Sequence, residues 1–180
     1  MATMRLFFAL WPSPVEQLQW QQAVSPLVQP FGGLPQRPEN LHLTLAFLGE
    51  VNGDRINQLI ALGNDLPRDP IRLRLDRIEC WKAAGLACLR PAETPPALER
   101  LVRRLHGGLA GDGFKTEPRG FKPHITVVRR VSLSLPALPL WPVPEWQVQK
   151  IALVRSRLTE FGPQYDVMHE WALDPLPLPA

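Results

Sequence analysis

Cysteine is almost absent. Cys80 and Cys88 are the only two in 180 residues, too few for a disulfide framework in a chain of this length, and both read as partly buried strand residues with reduced thiols. An excess of one charge is missing as well: 20 Lys and Arg stand against 17 Asp and Glu, for a net charge of +3. No basic run reaches five residues, and "VVRRV" and "LVRRL" hold only pairs. That balance suits an anionic substrate without demanding one. No apolar run is long enough for a membrane span, and "MATMRLFFALWPSP" lacks the small-residue cleavage site of a signal peptide. The expected location is the cytoplasm, with no membrane partner. No glycine-rich phosphate loop follows any strand. What is present is a hydrophobic fraction of 45% with 21% charged residues, enough for a real core in one domain or in one domain of two similar lobes.

The order of elements supports the second description. "RLFFAL" reads as a strand, and Ser13, Pro14 and Glu16 open a helix expected to end near Gln29. A turn-rich stretch leads to a strand at 41–48, and apolar spacing at Ile56, Leu59 and Ile60 predicts another helix. "IRLRLDRIECW" alternates cleanly, and with "GLACLRP" it predicts a hairpin over 71–90 around "KAAG". The second half repeats the scheme. A helix from Pro96 to about Leu109 is closed by glycines, and "RGFKP" leads to a strand at 124–129. The prolines of "LPALPLWPVPEW" exclude a central strand there, and the segment reads as a covering loop. "QVQKIALVRSRL" and "YDVMHEWAL" supply the last strands, before a loose tail. The fold class expected is α+β with mixed or antiparallel sheets.

Two short stretches carry chemistry. In "LHLTLAFLGE" strand alternation sends Leu41, Leu43 and Leu45 to one face and His42 and Thr44 to the other. "PHITVVRR" repeats the arrangement with His124 and Thr126. Each histidine lies roughly 6–7 Å from its threonine along the strand, so two such strands beside a cleft would gather four polar groups. Two imidazoles near neutral pKa are what in-line displacement at phosphorus needs, one to take a proton from water and one to give a proton to the leaving oxygen. Threonine hydroxyls can donate to the non-bridging oxygens. No metal is expected, because strands 41–48 and 124–130 contain no Asp or Glu and metal hydrolases of phosphate esters add carboxylates to their histidines.

The paired motifs "HLTL" at 42–45 and "HITV" at 124–127 resemble the signature of the 2H phosphoesterase superfamily. Within it the chain is similar to the bacterial RNA 2′,3′-cyclic phosphodiesterases of the 2′-5′ RNA ligase family. "RLFFAL", "RPENLHLTLAFLGEV", "FKPHITVVR" and a terminal "SRL" followed by "GPQY" carry the likeness over nearly the whole chain. The resemblance implies a LigT-like fold: a single bilobal, pseudo-symmetric domain over 1–180, two mostly antiparallel sheets facing a central cleft, helices outside. It implies hydrolysis of an RNA-terminal 2′,3′-cyclic phosphate to a 2′-phosphomonoester, without a cofactor, by a monomer. Reversible, ATP-independent joining of tRNA halves belongs to the same expectation. His42 is then the proton donor to the leaving 3′ oxygen, His124 the proton acceptor from water, and Thr44, Thr126 and Arg129 contact phosphate. Because the site is nearly symmetric, the donor and acceptor roles stay exchangeable.

Alternation alone puts Arg129 behind the cleft and Val128 in it, so either the strand ends or bulges near 128, or Arg129 reaches around. The plain alternative is a solvated pair with Arg130. Parity likewise assigns Phe47 to core packing. Trp11, Phe8, Trp81 and Tyr165 are candidates for stacking a base. His106 reads as a helix C-terminal dipole partner and His169 as surface. Related chemistries remain open: another cyclic nucleotide phosphate, a 2′-5′ oligonucleotide, or RNA binding without catalysis.

Overall fold

The structure, a computed structural model, describes residues 2–28, 32–116, 120–131, 138–139 and 144–177. In chain order the elements are β1 (Thr3–Leu10), α1 (Pro14–Val28), β2 (Leu34–Pro35), β3 (Leu43–Asn52), α2 (Ile56–Asn64), β4 (Ile71–Arg74), β5 (Arg77–Trp81), β6 (Leu86–Arg90), α3 (Pro96–Gly111), β7 (Ile125–Arg129), β8 (Leu138–Pro139), β9 (Glu145–Val148), β10 (Lys150–Thr159) and β11 (Gly162–Ala172). The class is α+β, as expected, and every strand pairing is antiparallel. Among the described residues the main sheet has nine strands in the order β11-β10-β1-β3-β7-β6-β5-β8, with β2 also on β7. The two halves of this sheet meet where Leu43 of β3 stands opposite Ile125 of β7.

Local sequence accounts for most of these boundaries. Ser13 and Glu16 form a reciprocal cap on α1: the Ser13 amide donates to Glu16 Oε2 at 2.7 Å and the Glu16 amide to Ser13 Oγ at 3.3 Å, satisfying donors that have no partner within the helix. The apolar faces of α2 and α3 bury Leu59, Leu98, Leu101, Leu105 and Leu109 in one cluster with Leu6, Phe8 and Leu10 of β1. A smaller cluster on the opposite face of β1 holds Phe7 and Ala9 with Ala152 and Val154 of β10. β10 is therefore covered on both faces.

Three expectations change. The alternating run at 71–81 is two strands rather than one: β5 and β6 make the hairpin over Arg77–Arg90, whereas β4 pairs with β9 in a separate small sheet. The run beginning at Gln147 is likewise broken at Gln149, whose carbonyl accepts from the Leu173 amide at 2.8 Å, so Val148 belongs to β9. Third, α3 continues through Gly107 and Gly108 to Gly111. A Cβ on Gly108 would lie 2.3 Å from Leu62 Cδ1, so this glycine permits the close approach of α2 rather than ending the helix.

The covering-loop expectation for the proline-rich segment falls largely on 135–137 and 140–143, outside the described residues. Pro139 stands at the sheet edge against β5, where proline is tolerated. Trp146 is fully buried, edge-on to Trp20 with ring centroids 4.9 Å apart. Among the described residues no helix is long and apolar enough to cross a membrane.

Candidate active site

β3 and β7 each begin immediately after their histidine, and each carries a bulge just after its threonine. On β3, Ala9 of β1 faces Thr44 while the next β1 residue back, Phe8, faces Ala46, leaving Leu45 as the extra residue. On β7, Cys88 faces Thr126 while Ala87 faces Val128, leaving Val127 extra. A bulge resets the alternation of side chains. Phe47 and Arg129, each three positions after its threonine, therefore join the histidine face.

Both bulges are held from outside their ladders. The Leu45 carbonyl accepts from His106 Nε2 at 2.9 Å, and the Val127 carbonyl accepts from the Gln36 amide at 2.8 Å. The segment carrying Gln36 can approach β7 only through a glycine: Gly33 has φ +89°, and a Cβ there would lie 2.4 Å from the Arg129 carbonyl oxygen. His106 is thus a brace for β3, not the dipole partner expected at a helix end.

The resulting cleft is a cavity of about 400 Å³ whose walls include His42, Thr44, His124, Thr126 and Arg129. All five residues singled out from the sequence meet there. The two histidines are oriented alike. His42 Nδ1 lies 2.7 Å from the Asn40 carbonyl and His124 Nδ1 lies 2.7 Å from the Lys122 carbonyl. A carbonyl only accepts, so each Nδ1 carries the proton and each neutral Nε2 is left as the acceptor. His42 Nε2 is 3.1 Å from the Thr44 hydroxyl. Asn40, buried beneath the turn, also donates from Nδ2 to the Pro163 carbonyl at 3.1 Å, tying the entry of β3 to β11.

Electrostatics separate the two rings. His42 packs against Phe7, Trp11 and Tyr165, with centroids 4.9, 5.3 and 5.0 Å away. Burial drives its pKa down to about 4; the Asn40 carbonyl opposes this and the Arg129 charge adds to it. His124 is also lowered, first by burial and further by Arg90 and Arg129, against the Lys122 carbonyl. The Nε of Arg129 is buried with no hydrogen-bond partner among the described residues. Arg129 lines the cavity, and a guanidinium N–H left without an acceptor beside a cavity suits an anion. The following residue, Arg130, is exposed and has φ 55°, so the strand ends there and the two arginines do not form a solvated pair.

The aromatic candidates divide. Phe8 is fully buried and stacks on Trp171 at 5.8 Å, which removes it as a platform for a base. Trp11 stacks on His42, and Tyr165 lines the cavity. Phe47, assigned by parity to the core, lines the cavity instead, because the Leu45 bulge turned it. Arg5, with its guanidinium 4.8 Å over the Phe47 ring, also lines the cavity and was not singled out from the sequence. Its place in "MRLFFAL", two residues from Phe7 on the same strand face, was the available signal. His169 is half-buried against Trp171 at 4.6 Å, away from the cleft. Cys88 lies under Thr126, and burial pushes its thiol up to about 12, unsuited to nucleophilic work. Among the described residues no three His, Cys, Asp or Glu side chains are grouped as a metal site.

The family model of the LigT like Phosphoesterases matches residues 10–85 and 89–165, so one matched stretch holds each His-x-Thr. The chain belongs to the LigT-like phosphoesterase family. It is 31% identical to the Escherichia coli RNA 2′,3′-cyclic phosphodiesterase over 174 residues, covering 94% of this chain and 96% of that one. It is 36% identical to the RNA 2′,3′-cyclic phosphodiesterase of Thermus thermophilus over 181 residues, covering 94% and 90%. Among solved structures, E. coli LigT complexed with 3′-AMP superposes with a TM-score of 0.88 at 29% identity, over 96% of this chain and 99% of that one. This member of the LigT-like phosphoesterases has the fold that its paired motifs implied.

Proposed function

We propose that the chain is a single bilobal domain over 1–180 that opens a 2′,3′-cyclic phosphate at an RNA 3′ end to a 2′-phosphomonoester. The observation that supports this most is the matched pair of imidazoles. Both have Nδ1 pinned to a backbone carbonyl and share one cavity with Thr44, Thr126 and the unpartnered Arg129 Nε. The E. coli and Thermus relatives are named RNA 2′,3′-cyclic phosphodiesterases.

In the reaction His124 Nε2 takes a proton from water as its oxygen bonds to phosphorus. His42, protonated, gives its proton to the 3′ oxygen as the P–O3′ bond breaks. The phosphate stays on O2′, a 3′ hydroxyl is released, and solvent exchange restores the starting protonation. Arg129 and the threonine hydroxyls face the non-bridging oxygens, where charge is held in the transition state. Before substrate binds, His42 is neutral at pH 7. The anion it must serve supplies the opposite charge that favours the imidazolium. A 5′ hydroxyl in place of water would give 2′-5′ joining of RNA pieces, such as tRNA halves, through the same bond changes.

Both motifs come from one chain, so a monomer suffices, and an enzyme of RNA ends works in the cytoplasm. An RNA oligonucleotide ending in a 2′,3′-cyclic phosphate, incubated in excess EDTA, tests the reading. Turnover to the 2′-phosphate by phosphorus NMR is expected. No turnover, or a 3′-phosphate product, would overturn it.

A further inference from the structure

A second cavity, of about 690 Å³, adjoins the one described above, and Thr44, Phe47 and His124 line both. Its own walls include Glu79, Trp81, Phe121 and Lys122. Trp81 and His124 have ring centroids 4.6 Å apart.

Trp81 is held more firmly than packing alone would require. Its indole N–H donates to Glu79 Oε1 at 2.8 Å, and Arg90 Nη1 donates to the other carboxylate oxygen at 2.6 Å. The Arg90 guanidinium also lies 5.5 Å from the Trp81 ring centroid. The sheet register explains the clamp. Glu79 and Trp81 are two apart on β5, opposite Cys88 and Leu86 of β6, so they share the face that carries Thr126 and Arg129. With Arg90 bound to it, the Glu79 carboxylate is neutralised and does not repel a phosphodiester. What remains presented to solvent is a fixed indole, the partly exposed Phe121 ring and the exposed Lys122 ammonium.

A fixed aromatic face beside a cation is how single-stranded nucleic acid is held without reading its sequence. The first cavity is of the size that takes one small ligand, in the range of about 300–1,000 Å³. The second is larger and is not needed by a mononucleotide. We propose that the Trp81 cavity is a second nucleotide subsite. It stacks the base preceding the cyclised terminus, with Lys122 near the linking phosphate, and so selects RNA chains over free cyclic mononucleotides. This rests on the catalytic reading above.

The test compares kcat/KM for a nucleoside 2′,3′-cyclic monophosphate with that for a dinucleotide ending in a 2′,3′-cyclic phosphate. The wild-type chain should prefer the dinucleotide. Trp81→Ala should lower that preference roughly tenfold, the loss lying mainly in KM, as expected for one stacked base. Trp81→Phe should retain most of it, and Lys122→Gln, at an exposed side chain, should lower it by a smaller factor. Equal losses on both substrates would make Trp81 a support for His124 and overturn the subsite. So would a wild-type chain with no dinucleotide preference, which needs no variant to fold. Turnover of neither substrate would overturn the catalytic reading and this one together. Turnover without preference overturns this one alone.

Discussion

Leu43 and Ile125 stand opposite one another where the two halves of the main sheet join. In an antiparallel pair, residues facing each other project to the same side. One step along from this pair, Thr44 comes opposite His124 and His42 opposite Thr126. The seam therefore accounts for all four polar groups sharing a face. Leu43 and Ile125, both fully buried, anchor the opposite side in the core.

Each histidine should be individually essential. His42→Ala and His124→Ala are each expected to lower kcat at least ~10²-fold, the usual scale for a lost general acid or base, with little change in substrate binding. The roles separate with a substrate whose leaving 3′ oxygen is replaced by sulfur, which departs without protonation. If His42 is the donor, that substrate restores turnover to His42→Ala and not to His124→Ala. Rescue of His124→Ala alone would exchange the roles, an assignment that the His42 pKa of about 4 before substrate binds favours by itself.

Arg129 should act through phosphate binding. Its loss removes a charge-assisted contact worth about 1.5–3 kcal/mol, so Arg129→Ala should lower kcat/KM by roughly 10- to 100-fold. Arg129→Lys, which keeps the charge and loses the planar fork, should recover only part of this. Kinetics indistinguishable from wild type would place phosphate elsewhere in the cavity.

The sequence carried the strands, the helix starts and both His-x-Thr pairs because each rests on local periodicity or capping. Ser13 and Glu16 were legible for that reason, as were His42 with Thr44 and His124 with Thr126. Parity misplaces Phe47, and it leaves Arg129 open between a strand end or bulge and a reach-around, because nothing in "TLAF" or "TVVR" marks Leu45 or Val127 as the extra residue. A bulge is set by the partner strand and by what braces its carbonyl. Here the braces are His106, 61 positions away in sequence, and the Gln36 amide. The split between β4 and β5 was hidden for a related reason, since alternation continues through Leu75 although the pairing partner changes.

His106 should matter for geometry rather than chemistry. Its Nε2–H bond to Leu45 spans α3 and β3, and His106→Leu leaves that carbonyl without its donor at a cost of about 1–3 kcal/mol. The loss should appear as a lower denaturation midpoint together with a raised KM, because Phe47 is no longer fixed on the cavity wall. His106→Gln, which can still donate, should recover both. Recovery of stability without recovery of KM would detach the bulge from substrate binding.

The stability of the fold should fall on acidification through the pKa of His42. In the unfolded chain histidine titrates near ~6.5, whereas folded His42 is held near 4. Above the unfolded value the ring is neutral in both states and contributes no slope. As pH falls from there towards 4, the unfolded chain takes up a proton that the folded chain refuses, so folding weakens. The lowered His124 acts in the same direction. For His42 the full effect is on the order of 3 kcal/mol. Chemical denaturation of wild type and His42→Gln at pH 7, 6, 5 and 4 isolates it. The depressed carboxylates Glu79 and Asp166 weaken both proteins equally at the acid end and cancel in the difference. The variant should lose less stability than wild type across the window; parallel losses would show that burial does not hold His42 neutral.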